Sequence, residues 1–229
     1  MKLTALICVC ILCTAVFIIR RCFKKDVYSL LLKVLSSMCF ILLGFYSAAA
    51  GGSFAESGLI LIGLICGMLG DIFLDLKYID LPNTKTYTTA GIAAFILGHA
   101  FYITFIFRYT PGMTASRLIA LLIAILGGVL IYATPKLMRL NYGDFRLLCS
   151  FYAAVLIFIT AYALLSAVRI GSMFTILFCV GLVLFLISDL ILSQIYFGDH
   201  MDTPFLSGLN HALYYAGQIL IAVSIFWIG

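Results

Sequence analysis

The sequence predicts an all-α, polytopic membrane bundle of eight transmembrane helices, arranged as two parallel four-helix repeats. Three observations lead there. The chain of 229 residues is 65% hydrophobic and only 10% charged, too little charge to cover a soluble domain of that size. Its apolar residues fall into eight stretches of roughly 17 to 24 residues, the length that spans a hydrocarbon core. The charges gather in the short segments between them, and more basic residues fall on one side than on the other.

Taken in order, the first span covers 3–19. Its charges, Arg20, Arg21, Lys24 and Lys25, follow the apolar run, and no small-residue cleavage site appears. This is the pattern of a retained helix with its N-terminus outside rather than of a secretion signal. Cys10 and Cys13 form a C-x-x-C on it. With no second pair and no nearby histidine, they are expected to face lipid and to hold no metal. The second span, 30–50, carries Lys33 near its start, and the third, 58–77, ends in "LGDIFLDLK" with Asp71 and Asp75 one turn apart. Gly63, Gly67 and Gly70 share a face of that helix and would let a neighbour approach Asp71. The fourth, 88–108, holds His99 and Tyr102, and the fifth and sixth occupy 116–134 and 148–170. The seventh, 174–196, holds Ser188 and Asp189, and the eighth, 206–228, holds His211, Tyr214, Tyr215 and Gln218.

With the N-terminus outside, the inner side receives Arg20, Arg21, Lys24, Lys25, Lys33, Lys77, Lys85, Lys136, Arg139 and Arg146. The outer side receives only Lys2, Arg108, Arg117 and Arg169, so the positive-inside rule supports this orientation. The net charge of +5 is topological bias, and no nucleic-acid partner is expected. The connections leave no room for a soluble domain, so 1–229 reads as a single transmembrane domain.

A repeat runs through it. "MLGDIFLDLKY" (68–78) aligns without gaps on "LISDLILSQIY" (186–196), and "LGHAFYI" (97–103) aligns on "LNHALYY" (209–215). Asp71 thereby corresponds to Asp189, His99 to His211 and Tyr102 to Tyr214. A repeat after four spans preserves orientation, which gives parallel halves, 1–110 and 111–229.

An ionisable group inside a span costs at least ~2.5–3.5 kcal/mol at the helix centre, so it faces the bundle interior or a wet cavity. Asp71 and Asp189 lie at similar depth, about 9–10 Å from the cytoplasmic ends of their helices at 1.5 Å per residue. We expect them to converge with His99, His211, Tyr215 and Gln218 on one pocket in the cytoplasmic half. Asp75, a turn nearer the interface, is expected to snorkel in a pair with Lys77 and to act as an auxiliary group. Tyr214 and Tyr215 lie too deep for an aromatic belt. Two histidines and two aspartates lack the close spacing of a zinc site, so no metal and no cofactor is expected.

The segments "GLICGMLGDIFL" (63–74), "YTTAGIAAFILGHAFYI" (87–103), "GLVLFLISDLIL" (181–192) and "YYAGQILI" (214–221) resemble the YhhN-like lysoplasmalogenase family of eight-span membrane enzymes. The family pattern falls on Gly70 and Asp71, on Tyr87, Gly91, Phe95, His99 and Tyr102, on Ser188 and Asp189, and on Tyr214, Tyr215 and Gln218. Lys33 stands where a Lys-Pro is often seen, with Val34 in place of the proline, and Asp75 is outside the pattern. The resemblance implies hydrolysis of the vinyl-ether bond of lysoplasmalogens to a fatty aldehyde and a glycerophospho-base. Asp71 and Asp189 would be acid and base in an unassigned order, with His99 also catalytic. Tyr102, Ser188, His211, Tyr214, Tyr215, Gln218 and Asp75 would orient or bind, and Lys33 would meet the substrate phosphate. The partners are then a lysophospholipid with a vinyl-ether chain and the surrounding membrane lipids. A bacterial cytoplasmic membrane is expected as host, ahead of the endoplasmic reticulum.

The alternative is a proton-coupled transporter of a small or lipid-like solute, with both aspartates as proton sites. It calls for broken helices at the midplane, whereas Pro82, Pro111, Pro135 and Pro204 all lie in loops or at span edges. An intramembrane aspartyl protease is third, but "GMLGD" replaces its G-x-G-D and no Pro-Ala-Leu follows.

Overall fold

The computed structural model describes residues 2–133, 135 and 139–228. Thr134, the expected end of the fifth span, and Lys136, one of the inner charges, lie outside the described residues. The described residues contain eight long helices joined by short connections: α1 (Lys2–Phe23), α2 (Val27–Ala50), α3 (Gly58–Leu76), α4 (Thr84–Tyr109), α5 (Thr114–Ala133), α6 (Arg146–Ile170), α7 (Met173–Phe197) and α8 (Pro204–Ser224). All eight are long and apolar enough to cross a membrane, and this is a multi-pass membrane protein. The spans match the sequence reading to within a turn at most ends. Helices run past the apolar core there because polar caps hold their first turns. Asp26 accepts from the Ser29 amide at 2.9 Å, and Ser172 and Thr203 cap α7 and α8 in the same way. The hydrogen bond from Arg20 holds the Asp26 carboxyl below the usual carboxylate range.

Consecutive helices pack as antiparallel pairs, α1 with α2, α3 with α4, α5 with α6 and α7 with α8. The last is central, touching α1, α2 and α3 as well as α7. Close approach within pairs depends on glycine. A Cβ on Gly63 of α3 would stand 2.2 Å from the Tyr102 ring of α4, and one on Gly181 of α7 would stand 2.8 Å from the Gly217 carbonyl of α8. By contrast α5 leans on α6 through Ala120, Ala124 and Gly128 and turns Leu118, Leu122, Leu126 and Val129 to the outside. After it, the Asn141 amide donates to the Phe197 carbonyl at 2.7 Å, pinning the α5–α6 connection across the end of α7.

One expectation about α1 is corrected. Cys10 does not face lipid but is buried in the main core. The 3.6-residue period carries it to the side of the helix that packs against the bundle, opposite the exposed Leu12 and Val16.

Candidate functional site

Asp71 and Asp75, a turn apart on α3, look along one helix face toward α2 and α1. From α2 comes Lys33, whose ammonium lies 3.3 Å from Asp71 Oδ1 and 3.0 Å from Asp75 Oδ1. From the last turn of α1 comes Arg21, which grips Asp75 with two parallel bonds, Nη1 to Oδ2 at 3.0 Å and Nη2 to Oδ1 at 3.1 Å. All four groups are at least nine-tenths buried. Such an arrangement persists in a low-dielectric interior only when every charge has its partner and good geometry. The chain Arg21–Asp75–Lys33–Asp71 meets that condition.

Two expectations change here. Asp75 is not an interfacial group snorkelling toward Lys77; its partners are Arg21 and Lys33, and it is only 2% exposed. Lys33 does not stand ready for a substrate phosphate, because both carboxylates already hold its ammonium. The sequence counted Arg21 only as a topological charge, since its partner lies 54 positions away and no local spacing announces the pair.

The other oxygen of Asp71 is held by hydroxyls. Ser37, one turn beyond Lys33 on α2, donates to Oδ2 at 2.7 Å, and Tyr214 of α8 donates to it at 2.8 Å. Gln218, a turn further along α8, donates to the Tyr214 oxygen at 3.1 Å. Tyr215 donates to the Lys33 carbonyl at 3.1 Å and lies 3.1 Å from Ser37 Oγ, fixing the start of α2 against α8. Ser37 was missed in the sequence because a serine inside a span carries no signal of its own. Its i+4 relation to Lys33 was the one available clue.

Asp189 is placed differently. Its carboxylate accepts from the Tyr152 hydroxyl of α6, and among the described residues no cation lies within ion-pair distance of it. It is partly exposed where Asp71 is buried. A small polar pocket is lined by Lys33, Asp71, Ser188, Asp189, Asn210, His211 and Tyr214, so the two aspartates do share a site. Ser188, on its wall, is tied to Asn210. Its hydroxyl donates to the Asn210 carbonyl at 3.0 Å, while the Asn210 amide returns bonds at 2.8 Å to the Ser188 carbonyl and hydroxyl. Tyr152 and Asn210 were both absent from the sequence-predicted set. Tyr152 lies in a span that shows no sequence match to the other half, and Asn210 stands where the first half has Gly98.

His99 does not join this pocket. Its Nδ1 donates to the Phe95 carbonyl at 2.7 Å, and its ring packs edge-on against Phe185 and Tyr102. With Tyr102 and Gln218 it lines a separate small void deeper in the bundle. The four-residue step from Phe95 to His99 puts both on one face of α4, and the Phe95 ring, not the imidazole, reaches the carboxylates. His99 Nε2, Tyr102 OH and Gln218 Oε1 find no hydrogen-bond partner among the described residues.

The polar pocket adjoins a second, larger space. An apolar groove of about 800 Å³, its open mouth included, runs between α4, α6 and α7 and is walled by Ile92, Phe95, Cys149, Leu156, Ile157, Leu186 and Leu190. Asp189, Leu74, Phe95, Leu192 and Tyr196 line both spaces. The glycine face of α3 behaves as expected. Cβ atoms at Gly67 and Gly70 would meet the Gln218 amide at 2.7 Å and the Phe95 ring at 2.6 Å. No group of histidine, cysteine and carboxylate side chains among the described residues is arranged to hold a metal ion.

Against known proteins, a sequence model described as the YhhN family matches residues 28–225. No curated protein and no solved structure gives a match.

Proposed function

Because the chain belongs to the YhhN family, we propose that it is a lysoplasmalogenase-type hydrolase of a bacterial cytoplasmic membrane. Its reaction is cleavage of the vinyl-ether bond of a lysoplasmalogen to a fatty aldehyde and a glycerophospho-base. The observation that carries this reading is the position of Asp189 at the junction of an apolar groove with the polar pocket of Asp71. The groove suits a hydrocarbon chain, and the junction suits the first polar bond beyond it.

The unequal partners of the two aspartates divide the work. Asp71, beside Lys33 and receiving two hydroxyl hydrogen bonds, is the carboxylate. Asp189, with one tyrosine and no cation, is the acid. It gives its proton to the β-carbon of the vinyl ether, which leaves an oxocarbenium ion opposite Asp71. Water adds to that cation and yields a proton to Asp71, forming a hemiacetal. Asp189, now ionised, takes the hemiacetal hydroxyl proton while Asp71 returns its proton to the departing glycerol oxygen. Both groups are restored, one water is consumed, and the chemistry is acid–base throughout with no cofactor required. Tyr214 and Ser37 orient Asp71, Tyr152 orients Asp189, and His211 lines the space between them.

Against the transporter alternative stands the continuity of the aspartate helices: α3 and α7 run unbroken from Gly58 to Leu76 and from Met173 to Phe197. The same reading takes 1–110 and 111–229 as parallel repeats. Gly181 follows Gly63 by the 118 residues that separate Asp189 from Asp71 (181 − 63 and 189 − 71), and each glycine admits the next helix.

The test is aldehyde release by purified protein from vinyl-ether and matched acyl lysolipids. Activity is expected on the vinyl ether alone. Asp189→Asn should abolish it with expression and melting temperature nearly unchanged, whereas Asp71→Asn should abolish it and also lower the melting temperature, because Lys33 loses one of its two buried carboxylates. Full activity in either variant would overturn the assignment.

A further inference from the structure

At the basic end of the bundle one ring gathers three cations. Arg21, Lys25 and Lys77 place their charged groups 4.6, 4.7 and 4.9 Å from the centre of Tyr78. Arg21 is committed to Asp75 and Lys25 to Asp202. Among the described residues, Lys77 has no carboxylate within ion-pair distance. Its ammonium lies instead on the face of Tyr196, 2.9 Å from the ring centre. Tyr196 lines both the apolar groove and the aspartate pocket, so the uncommitted charge stands against a ring that the two spaces share.

We propose that Lys77 is the anion anchor of this site and takes the phosphate of a lysophospholipid headgroup. The proposal rests on the lipid-hydrolase reading and names the residue that fixes the polar end of that substrate. Six residues separate Asp71 from Lys77 on α3 and its C-cap, about 9 Å at 1.5 Å per residue. The five bonds from the ether oxygen to the phosphorus of a lysophospholipid span roughly 6 Å, and the flexible four-carbon lysine stem covers the remainder. A lysine binds phosphate as a point charge. Here the surrounding carboxylates are already taken, so an incoming anion has no competitor on the protein. Burial, opposed by Asp75 but reinforced by the charges of Arg21, Lys25 and Lys33, pushes the Lys77 ammonium down to about 7. A bound phosphate supplies the counter-charge that this position lacks.

The experiment is equilibrium binding to the whole protein in detergent, with saturated ether probes that no hydrolase of this kind can cleave. One probe is a 1-O-alkyl lysophospholipid, and the other is the matching 1-O-alkylglycerol without phosphate. Lys77→Gln should weaken the phospholipid about tenfold, the scale of one charge-assisted contact, and change the alkylglycerol less than about twofold on that scale. Lys77→Arg should recover most of the loss. Equal weakening of both probes, or no change in either, would overturn the proposal. Inorganic phosphate should compete poorly with the phospholipid. If it competes as well, the site belongs to free phosphate and the headgroup assignment fails. Because no turnover is read, the result stands apart from whether the vinyl ether is cleaved.

Discussion

At the residue scale, Asp71 and Asp189 are the same side chain in two electrostatic settings. Asp71 is enclosed by Lys33, Ser37 and Tyr214, while Asp189 answers to Tyr152 alone. Tyr152→Phe therefore removes the single donor that aims the proposed acid. Its kcat for aldehyde release should fall about ten- to a hundredfold, the range for a hydrogen bond to a charged or acidic group. Its melting temperature should hardly move, because Asp189 keeps its access to the pocket. A kcat equal to that of the parent protein would show that Tyr152 does not orient Asp189. The two aspartates were legible from sequence because a carboxyl in a span is costly wherever it sits. Their partners were not. Asp75 reads as a pair with Lys77 at i+2, but residues two apart on a helix point to different sides, and the buried pair is made by Arg21 from another helix. His99 has its motif position but not its expected neighbours, since Phe95 occupies the space between it and the carboxylates.

At the scale of the helix, length and apolar content located every span, and the polar caps that extend the ends were the part that hydropathy does not register. Glycine patterning predicted close approach to α3 but not by whom. The structure supplies Tyr102 at Gly63, Phe95 at Gly70 and Gln218 at Gly67. Tyr102 is 2% exposed, so its ring is enclosed by the bundle on the side of the added carbon. Gly63→Ala should then destabilise the α3–α4 pair by about 1–3 kcal/mol, the usual cost of overpacking. Gly58→Ala, where an added Cβ meets nothing within 4 Å, should be close to neutral. Unfolding of the two variants in graded denaturing detergent, measured side by side, checks this; equal stability would mean that the Tyr102 ring repacks freely.

At the scale of the whole molecule, the repeat visible in the sequence concerns α3, α4, α7 and α8, and these helices carry most of the site. The groove does not follow from that pattern. Its walls come in good part from α6, which shares no sequence pattern with the other half, and its size depends on how far α6 stands from α4 and α7. Leu190, on its rim, is 47% exposed on the lateral flank of the bundle. The groove thus opens sideways from the helices and not only at their ends. A substrate entering by that flank arrives by two-dimensional diffusion within the leaflet, and the concentration that matters is its mole fraction there. With lysoplasmalogen held at fixed bulk concentration, added inert detergent should slow turnover in proportion to dilution within the micelle. A rate indifferent to such dilution would mean that the substrate of the proposed reaction is drawn from the aqueous phase.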